Sequence, residues 1–308
     1  MSRGIRITTP YSIGPAQLVA TDVPENDYAA WSSGSTFTAG QRCIKDHFVW
    51  ESVAAGNINH DPAVAANVGT WWLKVSATNC WRAFDDSYTT LTTKTGGFYY
   101  ELTLARYVSA VHILAIKNAK TVRVRLTDPS VGEVYDSGLV QVGRGLAAAS
   151  WWQWCFGRRA ERDTVSLYDL PLYPSAVLRI DVAGDPAQEC SVGTILAGAL
   201  TELGEGVEYG LRIGIDDYSK KARNQWGDVS LQVGNYSKRI DLTLWIDNDR
   251  FDSVFNFLAA RRAQVLFWSI SDRWQTTQLW GFYKSCDMVI PYYSNSTVAL
   301  SIEGMSLT

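Results

Sequence analysis

The 308 residues hold no close cysteine pair, only three histidines, no marked excess of charge and no long apolar run. Each lack removes a class of function. The five cysteines, Cys43, Cys80, Cys155, Cys190 and Cys286, are far apart and odd in number. Zinc sites and redox dithiols draw on closely spaced pairs, so neither is supported, and free thiols in a reducing cytoplasm are expected. His47, His60 and His112 form no H-x-x-x-H pattern, and neither a metal nor another cofactor is expected. With 28 basic against 31 acidic residues the net charge is -3. That balance sets up no field for nucleic acid or an anionic membrane. Residues 1–20 carry Arg3 and Arg6 without an apolar stretch, so they read as neither a secretory leader nor a membrane span. A protein without an export signal that acts outside a cell travels with a particle, which suits a virion component.

Catalytic signatures are lacking too. There is no G-x-S-x-G elbow. The glycine-bearing run "GRGLAAAS" from Gly143 lacks the lysine of a phosphate loop and reads as a loop. Asp85, Asp86, Glu101 and Asp181 are available carboxylates, but glycoside hydrolysis needs two of them set across a cleft, which spacing alone does not establish. A non-enzymatic role is expected. The basic runs at residues 157–162 and 220–223 include or adjoin acidic residues and read as solvated faces.

What the chain has in quantity is aromatic surface, with 13 Trp and 15 Tyr. These side chains suit subunit interfaces and sugar sites, being large, rigid and polar at one end; they suit β-rich cores equally well. The length exceeds one typical core, so two or three domains are expected.

The pattern is mainly β, with a small α+β unit at residues 200–308. Residues 1–24 read as an extended arm with a short strand near 17–20. Residues 25–75 are dense in aromatics and turns and read as a small three-stranded module. Residues 76–199 alternate apolar and polar; in "TVRVRLTD", Val122, Val124 and Leu126 face one way and Thr121, Arg123 and Arg125 the other, as in a β-sandwich. No helix is expected there. The segment 217–235 is polar and Gly-punctuated, a long hairpin or an exposed loop. A helix is predicted over 249–263, capped by Asn248, with Phe251, Val254, Phe255 and Leu258 as its apolar stripe. Asp249 and Asp252 near its start and Arg261 and Arg262 near its end suit the helix dipole. In "KRIDLTLWI", Ile240, Leu242, Leu244 and Ile246 share one face, which leaves Trp245 on the polar face. A tryptophan there either covers a neighbouring strand or anchors a subunit contact.

Three resemblances follow from quoted residues. Residues 28–72 carry Trp31, Phe37-x-x-Gly40, Val49-Trp50-Glu51-Ser52, Asp61-Pro62 and Trp71-Trp72, and this frame resembles the small chitin-binding modules of bacterial chitinases. The resemblance implies a carbohydrate-binding fold, with Trp31, Trp50, Trp71 and Trp72 as candidate sugar contacts. Family members carry an aromatic pair in the loop after the second strand; here that loop reads "AAGNINHDP". Residues 76–198, with "WRAFDDS" and "YPSAVLRIDVAG", loosely resemble galactose-binding-like jelly rolls. Residues 75–308, with "YDLPLYPSAVLRIDV", "LGEGVEYGLRIGIDDYSKK" and "YSKRIDLTLWIDNDRFDSVFNFLAARRAQVLFWSISD", resemble tail-region proteins of siphophages and prophages. The final domain shares the strand–helix–strand order of the tail-tube and distal-tail fold. This implies a structural subunit of the virion tail tip or baseplate, assembled in the bacterial cytoplasm as a homo-oligomeric ring with other tail proteins as partners. Trp245, Trp226 and Tyr218 are the candidate interface residues. The alternative is a carbohydrate-binding module for attachment to a host surface glycan.

Overall fold

Alternation of apolar and polar residues dictates strands along most of this chain, and the structure is mainly β, 51% strand and 9% helical. The computed structural model describes residues 4–142, 151–156, 163–223, 225–271 and 274–306. The glycine-bearing run from Gly143 and the basic run at 157–162 lie outside the described residues.

The small module is an antiparallel sheet of Arg42–Lys45, Phe48–Ser52 and Trp72–Ala77, with Thr36–Phe37 paired to Asn57–Ile58 beside it. Its core is Phe37, Cys43, Trp50 and Trp72.

A six-stranded antiparallel sheet follows. Its order is Gly132–Asp136, Ala119–Asp128, Val177–Gly184, Gly97–Thr103 and Leu18–Thr21, with Val140–Gln141 also on Ala119–Asp128. Val122, Val124 and Leu126 point inward as their alternation requires. They share one core with Val111, Ile113, Val165, Ile195 and Ala197 of a facing sheet. Two sheets closed over one apolar layer make the sandwich.

The facing sheet belongs to a ten-stranded one that continues into the C-terminal half. From Thr194–Leu203 it runs through Ile5–Pro10, Leu266–Ser269, Gln278–Val289, Asn295–Gly304 and Tyr236–Asp247. Beyond Leu203 the chain turns at Gly204, and Gly206 and Val207 pair with Trp245 and Leu244. The circuit of pairing therefore closes on itself, a small barrel without a free edge at that point. Gly204 has φ 75°, and a Cβ there would lie 2.9 Å from the Trp245 carbonyl oxygen, so the closure requires glycine. Inside lie Ile5, Ile7, Leu203, Trp268 and the predicted row Ile240, Leu242, Leu244 and Ile246.

The structure departs from the sequence expectations at four places. Residues 5–10 are not a free arm: Ile5 and Ile7 are fully buried, and their strand is paired on both sides. Thr194–Leu203 crosses the expected boundary at 199/200, pairing with Ala110–Leu114 of the sandwich and Ile5–Pro10 of the barrel. A helix does occur between 76 and 198, at Trp151–Phe156; six residues are too few to display a 3.6-residue period. The predicted C-terminal helix spans Phe251–Ala260, after a 3-10 turn at Asn248–Arg250.

The cap and the stripe of that helix also differ. Asp247, not Asn248, accepts the Asp249 backbone N–H, at 3.1 Å. Asn248 instead donates to the carbonyls of Tyr292 (3.1 Å) and Tyr293 (2.7 Å). Val254 and Leu258 are buried, but Phe255 is 56% exposed. Phe257 packs on the core instead, beneath the Arg261 guanidinium at 3.7 Å. At 100° per residue Phe255 lies about 100° round from Val254, whereas Phe257 lies about 60° the other way. The midline through Val254 and Leu258 lies about 80° from each of these two phenylalanines, so helix geometry does not choose between them, and the packed sheet takes Phe257.

Candidate functional site

The aromatic residues of the N-terminal module are mostly committed to holding it together. Trp72 is fully buried, and its indole N–H donates to the His60 carbonyl at 2.7 Å. Trp50 is buried, and its N–H donates to the Lys45 carbonyl at 3.1 Å. Neither offers a ring face to a sugar. Trp71 and Trp31 are half-buried, but each has a neighbour on its ring. His60 stacks on Trp71 with centroids 3.9 Å apart. The Lys45 ammonium sits 4.8 Å from the Trp31 centroid and 3.5 Å from Asp61.

Two of the four candidate carboxylates, Glu101 and Asp181, are held in ion pairs. Glu101 and Asp181 both lie on Arg179, at 2.6 and 2.9 Å, and Asp181 also meets Arg125 at 2.9 Å. These side chains form a cross-strand ion ladder on the outer face of the six-stranded sheet. Asp85 accepts from Thr90 and from the Ser87 backbone, and burial raises its pKa. Among the described residues no group of three His, Cys, Asp or Glu converges as a metal site. None of the described helices is long and apolar enough to cross a membrane.

His112 lies in the interior. It is fully buried, stacked on Phe267 at 3.8 Å, and its Nε2 lies 2.8 Å from the Thr8 hydroxyl. Burial lowers its pKa to about 3, so the ring is neutral at physiological pH. Its Nδ1 has no hydrogen-bond partner. An empty lone pair costs less than an orphaned N–H, which assigns the proton to Nε2 as donor to Thr8. This is a packed structural histidine at the seam between sandwich and barrel.

The conspicuous surface lies at the two ends of the barrel strand Tyr236–Asp247. At its first end the ladder with Arg212–Asp217 runs on beyond the sheet as a two-stranded hairpin, Lys220–Arg223 paired with Val229–Gln232. All eight of those residues are exposed. Gly234 makes the departure possible, since a Cβ there would sit 2.8 Å from the Tyr218 carbonyl oxygen. Tyr218 secures the base through its hydroxyl, 3.0 Å from Glu303 and 3.1 Å from Ser237. Val229 and Leu231 stand opposite Arg223 and Lys221 in the register, so they share one face with those basic stems. Trp226 is at the turn, 81% exposed. The segment predicted as hairpin or loop is therefore a hairpin, with the basic run on one of its strands.

At the other end Trp245 is half-buried and stacks on Tyr292, centroids 5.9 Å apart. Beside it Val289, Ile290, Tyr292 and Tyr293 form an exposed turn held by Asn248. Glu205, Asp249 and Asp252 are exposed around it. Trp245, Trp226 and Tyr218 stand out in the sequence, whereas their neighbours do not. The tyrosine pair in "VIPYYS" and the alternation in "DVSLQV" carried the signal.

A third feature is a groove of about 360 Å³ on the outer barrel wall. Glu208, Arg212, Asp241, Ser285, Asp287 and Ser301 line it, and Asp241 accepts from the Ser301 hydroxyl at 2.6 Å.

The architecture is thus a mainly-β protein whose exposed aromatic and apolar residues include groups at opposite ends of one barrel. Comparison of the chain with protein-family models, with curated proteins and with solved structures finds no match.

Proposed function

We propose that this chain is a structural subunit of a bacteriophage tail tip or baseplate, working through contacts with copies of itself and with other tail proteins. The observation that carries the reading is the pair of exposed apolar surfaces at the two ends of Tyr236–Asp247. The described carboxylates Glu101 and Asp181 are neutralised by arginines, which fits a scaffold better than a hydrolase. The sequence resemblance of residues 75–308 to siphophage tail proteins supplies the particular assembly. Exposed patches of this kind mark contact sites on a soluble subunit, and Trp and Tyr are favoured anchors. Electron microscopy of intact virions with a labelled antibody tests the reading. Label at the distal tail supports it, and label on heads or on no particle sinks it.

A second reading, attachment to a host glycan, is favoured by the groove lined with Asp241, Ser285, Asp287 and Ser301. Carboxylates and hydroxyls set in a shallow groove match the hydrogen-bonding surface of a sugar. A glycan array with the full chain tests it, and silence across bacterial glycans leaves only the architectural role.

A further inference from the structure

We infer that copies of this chain associate head to tail, the projecting hairpin of one copy seating on the aromatic, acidic end of the next barrel. The inference deepens the proposed assembly role, on which it rests, by naming the two surfaces that meet.

A two-stranded hairpin alone is marginal in water. This one leaves the sheet with Val229, Leu231 and Val233 exposed and, among the described residues, no third strand over them. Its basic residues outnumber its acidic ones: Lys220 and Arg223 are exposed, Lys221 is held by Asp217 at 2.7 Å, and Asp228 lies in the turn. The surface that would cover it must offer apolar area and negative charge. The far end of the same barrel offers both, in exposed Ile290, Tyr292 and Tyr293 and in exposed Glu205, Asp249 and Asp252, which outnumber Arg250 there.

The geometry sets the mode of association. The two surfaces sit at opposite ends of a twelve-residue strand, roughly 36 Å apart at the usual rise per residue. They are different patches, so the contact is heterologous. Each copy that docks its hairpin leaves its own acidic end open to another, and the contact propagates into a closed ring or an open stack. A two-fold dimer that matched either end with itself would instead bring like charges together.

Two charge reversals test this on the full chain. K220E/R223E makes the hairpin acidic, and E205K/D252K makes the far end basic. Light scattering and sedimentation should show wild type growing in mass with concentration, and less so in high salt, which screens the pairing. Each variant alone, with an unchanged circular dichroism spectrum, should associate at least about tenfold more weakly, a loss of about 1.4 kcal/mol. An equal mixture of the two should associate again, because each then meets the opposite charge. Wild type that stays monomeric at every concentration overturns the inference, and so does a mixture no better than its components. If a reversed chain misfolds, Val229→Ser with Leu231→Ser removes the apolar stripe from the exposed face instead, and undiminished association of that variant also overturns it. Labelling of virions reads tail location independently, so a failure of head-to-tail docking is distinguishable from a failure of the tail reading.

Discussion

Thr8 Oγ1 and His112 Nε2 lie 2.8 Å apart, joining two strands that do not pair with each other but both flank Thr194–Leu203. The bond ties the barrel wall to the sandwich wall through the one buried imidazole.

That placement has a pH signature. The folded ring stays neutral down to about pH 3, whereas an unperturbed histidine protonates near 6.5. Between those values the unfolded chain binds the extra proton. Stability is therefore complete above the unfolded value and falls as the pH drops through the window, by about 1.4 kcal/mol per pH unit at most from this group. Urea midpoints at pH 7 and pH 5 should differ less for His112→Gln, which retains an N–H for Thr8, than for wild type. An equal pH response in both would show that His112 is not held neutral.

The corrected helix face gives a paired prediction. Leu258→Asp places an unpaired charge among Val254, Trp268 and Leu300 and should cost several kcal/mol, about the stability of a marginal domain. Phe255→Asp, on the exposed side, should change stability by no more than about 0.5 kcal/mol. Thermal melts of the two variants decide it; equal melting temperatures would place the stripe wrongly.

The alternation in "KRIDLTLWI" revealed its inward face because each odd step buries an aliphatic side chain. The same period was present in Ile5, Arg6, Ile7 and Thr8, but a run so short beside Pro10 and Gly14 reads equally as an arm. What makes it a barrel stave is its partners, which lie near residues 200 and 268 and leave no local trace. Phe255 failed for a related reason: spacing marks a candidate stripe, and only the docked sheet selects its centre. Trp50 and Trp72 matched the chitin-module frame, yet whether a tryptophan faces sugar or core depends on what folds over it.

Gly204→Ala should open the barrel seam. A Cβ at φ 75° beside the Trp245 carbonyl is strained both by backbone and by contact, a cost of roughly 1–3 kcal/mol. Amide exchange of residues 205–208 and 243–246 should speed up relative to the rest of the sheet. Uniform exchange across the sheet would show that closure does not depend on this residue.

Trp245→Ala removes the stack with Tyr292 and should cost about 0.5–1.5 kcal/mol beyond the lost burial, leaving the isolated chain folded. Incorporation into particles should fall more than that loss explains. Normal particle yield with the variant would remove Trp245 from the interface.

The central position of Ile5–Pro10 bears on how the molecule is made. Ile7 lies beside Trp268, about 260 residues later, so of these two staves the one made first has to wait for the other. Contacts of such long range fold slowly, because loop closure is paid before the reward arrives. During synthesis the sandwich strands from Gly97 to Gly184 can pair among themselves, while Ile5 and Ile7 stay uncovered. The barrel is the late event, and until it closes the nascent chain presents an apolar strand that a chaperone can hold.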